Sequence, residues 1–158
     1  MEIIDYFKSD APDYWLAEIG KSDWRAAETL VRFIKENSFH ENLGNGTLLL
    51  LTDGDKLVSF LTFAEWDCID DNSLSPWIGF VYTFPEYRGH RHMGKLIRRC
   101  EELAAENGVQ KIFICTDHIG LYEKYGFSYM ENRVDIYGGD SRIYFKTVTE
   151  KENQNAEL

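Results

Sequence analysis

The 158-residue chain is short of several things, and each shortage narrows what it can be. It has only three cysteines, Cys68, Cys100 and Cys115, with no metal-ligand spacing, which points to ordinary buried thiols in a reducing cytoplasm. His90, His92 and His118 do not complete a metal set with Cys115, so no metal is expected. There are only three prolines, and no internal repeat is visible. The longest apolar runs, such as "TLLLLT", are strand-sized and too short for a membrane span. The opening "MEIIDYFKSD" has neither a basic nor an apolar leader region, so no signal peptide is expected. Positive charge is scarce, 17 Lys+Arg against 27 Asp+Glu for a net charge of −10, which argues against a nucleic-acid partner. The dinucleotide and Walker A glycine patterns are both absent.

What is present is the composition of a globular domain, 44% hydrophobic, 28% charged and 15% aromatic, in a chain sized for one core. A single domain over 1–148 is expected, with the polar 149–158 as a disordered tail. After a first strand, Glu2–Phe7, "APDYWLAEIG" reads as a short helix. Ser22 caps a second helix, in which Trp24, Ala27, Leu30, Val31 and Ile34 recur at helical spacing. "TLLLLTDGDKLVSFLTFAEW" reads as a hairpin turning at Asp53-Gly54, with side chains alternating through Leu57–Trp66. "DCIDDNSLSP" is a polar loop, and "WIGFVYTF" a strand ended by Pro85. A helix stripe from Met93 closes at Asn107-Gly108, "VQKIFICT" is a buried strand, and "IGLYEKYG" a short helix. A last hairpin runs from Phe127 to Val148. The order β-α-α-β-β-β-α-β-α-β-β predicts a mixed α/β, mostly antiparallel sheet flanked by helices, with one central β-α-β unit.

One stretch breaks the acidic background. "YRGHRHMGKLIRRC" holds Arg88, Arg91, Lys95, Arg98 and Arg99, with His90 and His92 and no carboxylate. It joins a strand to an amphipathic helix. Free N–H groups and the positive end of the helix dipole make such a turn an anion site, and arginines add charge-assisted contacts to phosphate. Arg88, Gly89, His90, Arg91, His92, Met93, Gly94 and Lys95 are therefore the candidate phosphate turn.

With "FPEYRG" before it and "LYEKYGF" after it, this turn resembles the GNAT family of N-acetyltransferases, whose signature is Arg/Gln-x-x-Gly-x-Gly/Ala. Without gaps, Arg88 takes the Arg/Gln place and Leu96 the family's leucine, while Arg91 and Met93 stand where the glycines usually lie. The resemblance runs from about Trp77 to Met130, and the element order agrees over most of the chain. "CTDHIGLYEKYGF" lacks the Asn and Ala that often precede the last motif's tyrosine.

The resemblance implies a GNAT-like fold with acetyl-CoA as acyl donor. Backbone groups around Val81 and Thr83, splayed from strand 109–115, would hold the pantetheine arm, and Tyr122 would protonate the leaving thiolate. It implies an acetyl-CoA-dependent N-acetyltransferase; acidic surface makes a small cationic amine the expected acceptor. A protein or peptide N-acetyltransferase and a non-catalytic acyl-CoA-binding module are the alternatives, and either a monomer or a homodimer is compatible. The general base is sought among Glu65, Asp67, Asp70 and Asp71, with Glu65 preferred and Asp67 on the same face by strand alternation.

Overall fold

The computed structural model describes residues 1–148; the expected tail at 149–158 lies outside the described residues. One seven-stranded sheet runs in the order β1-β2-β3-β4-β5-β7-β6. Its strands are β1 (Glu2–Asp5), β2 (Gly46–Asp53), β3 (Lys56–Ala64), β4 (Trp77–Thr83), β5 (Lys111–Thr116), β6 (Ser128–Val134) and β7 (Asp140–Thr147). Every neighbouring pair is antiparallel except β4 and β5, the pair joined by a helical crossover. The helices are α1 (Pro12–Gly20), α2 (Arg25–Lys35), α3 (Phe39–Leu43) and α4 (Met93–Glu106).

Central strands are apolar on both faces because both are covered. Leu49 and Leu51 of β2 join Val58, Leu61 and Phe63 of β3 in a core with Leu96, Ile97 and Cys100 of α4. Leu48 and Leu50 point the other way, into a core with Phe60, Ile19 of α1 and Leu30 of α2. The alternation expected along Leu57–Trp66 is thus an alternation between two cores, and it stops with β3 at Ala64. A third, smaller core of Ile69, Trp77, Phe113 and Ile143 pins the β3–β4 loop to the sheet. Trp77 Nε1 donates to Leu74 O at 2.7 Å, and Arg133 grips Asp71 at 2.5 Å. The loop that reads as merely polar is held in place.

Three local readings change. Ser22 does not cap α2: its Oγ donates back to Ile19 O at 2.6 Å, closing α1, and Trp24 takes the cap position without a side-chain bond. The first strand ends at Asp5, whose carboxylate caps a 3-10 turn over Tyr6–Lys8. "IGLYEKYG" forms a 3-10 turn, Tyr122–Tyr125, stopped by Gly126 at φ +90°. Between α2 and β2 the short α3 carries Phe39 and Leu43, which seal the α1–α2 core.

Candidate active site

The defining irregularity is in β4. Its parallel pairing with β5 covers only Trp77–Phe113 and Ile78–Ile114, after which the strands part. Next to the opening, Phe80 and Val81 together face Leu61 of β3, a β-bulge in which Phe80 adopts φ +48°. Beyond the bulge, Tyr82 O accepts from Ser59 Oγ at 2.7 Å and Phe84 N–H donates to Val58 O at 3.0 Å, so both face β3. Backbone alternation then turns the polar groups of Val81 and Thr83 toward the opening. Thr83 O is taken there by Arg88 Nε at 2.8 Å. Val81 lines the cleft beside that opening.

Two clefts adjoin along this strand. The first, about 560 Å³, is lined by Val81, Thr83, Arg88, Gly89, Arg91, His92, Met93 and Tyr122 among others. This gathers most of the predicted cofactor residues with the predicted acid. His90, Gly94 and Lys95 are not in its lining. Lys95 reaches Met1 Sδ at 3.8 Å instead. Gly94 allows the Tyr125 ring to pack on the first turn of α4, where a Cβ would stand 3.1 Å from Cε1. Sequence reasoning missed His118, Tyr87 and Tyr125 as lining residues; no signal marks His118 beyond its place just after β5.

The turn itself is a cradle of unused donors. Gly89 and Arg91 have φ of +86° and +56°, and among the described residues the N–H groups of Gly89, His90, Arg91, His92 and Met93 find no acceptor. Successive N–H groups in such a left-handed turn converge on a concavity suited to an anion. Arg91 stands where the family signature has glycine and takes the glycine-like conformation, at a cost of roughly 1–2 kcal/mol. The charges are less uniform than the sequence suggests. Arg99 is paired to Glu102 at 3.0 Å and Glu106 at 3.6 Å, and Arg88 lies over the Tyr82 ring at 5.3 Å. His92 has its pKa lowered, by burial first and by Lys95 and His90 after that, so it adds little charge at neutral pH.

Tyr122 is buried, packing edge-on to Phe127 with ring centroids 6.1 Å apart. Burial, and then the neighbouring Tyr125, pushes its phenol above the usual range, so it stays protonated at any working pH.

The second cleft, about 520 Å³, lies between α2, β4 and the β6–β7 turn. Phe80 lines it, and Trp24 lines both clefts, stacked on Tyr82 at 5.5 Å. Of the other tryptophans, Trp15 and Trp77 are core residues and Trp66 is exposed. Asp67 is the carboxylate in this cleft. A Cβ at Gly79 would lie 2.3 Å from Asp67 Oδ1, so only glycine admits the carboxylate against β4. Burial pushes the Asp67 carboxyl up to about 6, against the opposing pull of contacts with Cys68.

The structure does not bring Glu65 here. It lines a separate cavity with Asn45 and Leu103, and its Oε1 accepts from Asn45 N–H at 3.2 Å. Asp71 is held by Arg133 and Ser73, which keep its carboxyl at about 2. Cys68 and Cys115 are not independent core thiols: Cys68 donates to Cys115 Sγ at 3.0 Å, which raises Cys68 and lowers Cys115.

A parted parallel strand pair and a donor cradle at the next helix agree with what the resemblance implies. The model of the acetyltransferase (GNAT) family matches residues 4–127. The chain belongs to the GNAT acetyltransferase family. Solved structures share the fold of this acetyltransferase over nearly its whole length. An acetyltransferase from Streptococcus agalactiae superimposes with a TM-score of 0.65 at 23% identity, covering 92% of this chain and 97% of the other. An aminoglycoside 6'-N-acetyltransferase complexed with coenzyme A gives 0.67 at 13% identity, with 96% and 99% covered. A spermidine/spermine N-acetyltransferase from Vibrio cholerae gives 0.63 at 14% identity, with 97% and 95% covered. No functionally curated protein matches this acetyltransferase in sequence.

Proposed function

We propose that the chain transfers an acetyl group from acetyl-CoA to the amine of a small cationic acceptor, by direct attack across the β4 bulge. The observation that carries this reading is the meeting of two chemically opposite clefts at one strand, one with a free donor cradle and the other with a raised carboxyl. The relative solved with coenzyme A supports the choice of donor.

In this reading the N–H groups of Gly89–Met93 and the Arg91 guanidinium receive the cofactor phosphates, and the Val81 backbone receives the pantetheine arm. Bound acetyl-CoA supplies an activated acyl carbon. Asp67 takes a proton from the acceptor ammonium; a carboxyl near 6 is ionised at neutral pH yet basic enough to accept one. The amine then forms the C–N bond as the C–S bond breaks. An amide at the bulge polarises the acyl oxygen, Tyr122 gives its proton to the departing sulfur, and the second proton that the new amide nitrogen sheds restores the Tyr122 phenol. Glu65, preferred from the sequence, yields the base role to Asp67 because its carboxylate occupies a different cavity. The free thiols at Cys68, Cys100 and Cys115 support a reducing, cytoplasmic setting.

A non-catalytic acyl-CoA-binding module would need only the first cleft. It gives no reason for a raised carboxyl in a second one. The test is thiol release from acetyl-CoA in the presence of an amine panel, alongside calorimetric binding of acetyl-CoA. Binding with amine-dependent release is expected. Binding without release for any amine or peptide would support the module instead.

A further inference from the structure

The acceptor cleft has a composition that selects among amines. Its walls are Trp24, Phe33, Leu43, Phe80, Ile136 and Tyr137. Its charged lining residues are Asp67 and Arg25, one of each sign. Two carboxylates of the acidic cluster are committed elsewhere: Asp71 to Arg133 and Ser73, and Glu65 to the Asn45 N–H in another cavity. Asp135 accepts from Tyr137 N–H at 2.9 Å, Gly139 N–H at 3.0 Å and Ser141 Oγ at 2.9 Å within its own turn.

A molecule with several ammonium groups would fare badly here. Each ammonium taken from water needs a partner, and besides Asp67 the lining offers only the neutral side chains of Thr29 and Asn42 among apolar walls. Asp67 can satisfy one, while Arg25 repels the next. The overall charge of −10 therefore misleads about this cleft, because most of that charge does not face it.

A second feature points the same way. Ile136 is 59% exposed and Tyr137 75% exposed, both on the β6–β7 turn that borders the cleft. The turn is fixed, by the Asp135 bonds and by Ile136 N–H donating to Cys68 O at 2.9 Å. It is an apolar lip held open to water beside an aromatic-walled cavity, where a guest's apolar surface would cover it.

We infer that the acceptor is a monoamine, a primary ammonium on a short linker to an aromatic or bulky apolar body. The ammonium lies at Asp67 and the body against Phe33, Phe80 and Tyr137. This rests on reading the second cleft as the acceptor site.

The experiment compares kcat/KM of the full chain, by thiol release from acetyl-CoA, for phenethylamine, tryptamine, spermidine and kanamycin. The aromatic monoamines should exceed both polycations by about tenfold or more, the scale of one extra well-made contact. Tyr137→Ser, at an exposed position that should not disturb folding, should raise KM for phenethylamine by roughly tenfold. It should leave the calorimetric Kd for acetyl-CoA unchanged. Preference for spermidine or kanamycin, or an unchanged phenethylamine KM in Tyr137→Ser, would overturn the inference while leaving acyl transfer intact. Failure of the wild-type chain to bind acetyl-CoA would overturn the underlying reading, and this inference with it.

Discussion

The two clefts beside β4 are of similar size, about 560 and 520 Å³, yet the fold builds them from opposite materials. The first is polar through its backbone: a turn with unused N–H groups and a strand parted from its partner. The second is apolar through its side chains, with one carboxylate pressed on Gly79. Backbone donors bind any anion of the right shape, so the first can serve one donor shared by many relatives. Side chains can be exchanged without disturbing the sheet, so the second is where specificity can vary. Two solved structures that share the fold at 13% and 14% identity are named for different acceptors, an aminoglycoside and spermidine/spermine.

Substitutions on either side should separate the two clefts. The largest effect is expected at Asp67. Asp67→Asn should lower the acetylation rate by roughly 10²–10⁴-fold, the usual range for a positioned base, with acetyl-CoA affinity unchanged by calorimetry. The same change should stabilise the protein. With its carboxyl raised from 3.8 to about 6, the native state holds the proton more tightly than the unfolded chain. Wild-type stability from this group therefore falls as pH rises from about 4 to 6. Denaturant titrations should show Asp67→Asn gaining roughly 3 kcal/mol at pH 7 and well under about 1 kcal/mol at pH 4.

Next in size is Tyr122→Phe, expected to cost about 10²-fold in kcat, since thiolate leaves readily even with weak assistance. Tyr125→Phe is the control on the same cleft wall, and its kcat should hold. A loss at Tyr125 with none at Tyr122 would move the acid to the other phenol.

On the cofactor side, Arg91→Glu should weaken acetyl-CoA binding by roughly 1.5–3 kcal/mol, the worth of one charge-assisted contact, without changing KM for the amine. An altered amine KM would mean that the clefts are not separable. Smallest is Arg91→Gly. It removes the same charge but relieves the left-handed backbone at φ +56°, so a thermal melt should show a gain of about 1 kcal/mol.

The first cleft was more legible in the sequence than the second, for physical reasons. A basic turn between strand and amphipathic stripe is local, and Arg88–Met93 could be read as a unit. That Arg91 would adopt a glycine's conformation was not legible, because the residue type argues against it. Helices and strands with long periodic runs were readable, whereas the one-turn α3 depends on burial of Phe39 and Leu43, and Ser22 bonds back to Ile19 O, a local alternative to capping forward. The acceptor cleft draws on α2, the β3–β4 loop, β4 and the β6–β7 turn, far apart in the chain. Alternation placed Glu65 and Asp67 together, but β3 ends at Ala64 and the rule lapses there. Nor could spacing show that Cys68 meets Cys115.

As proposed, the two clefts act on one bond, with Asp67 as the base between them. The most direct test is the pH dependence of kcat/KM for a reactive amine in the wild-type chain and in Asp67→Asn. The account predicts a wild-type rate that rises through an inflection near 6, as Asp67 ionises, and a much slower variant in which that inflection is gone. An unchanged inflection in an equally active Asp67→Asn would contradict it.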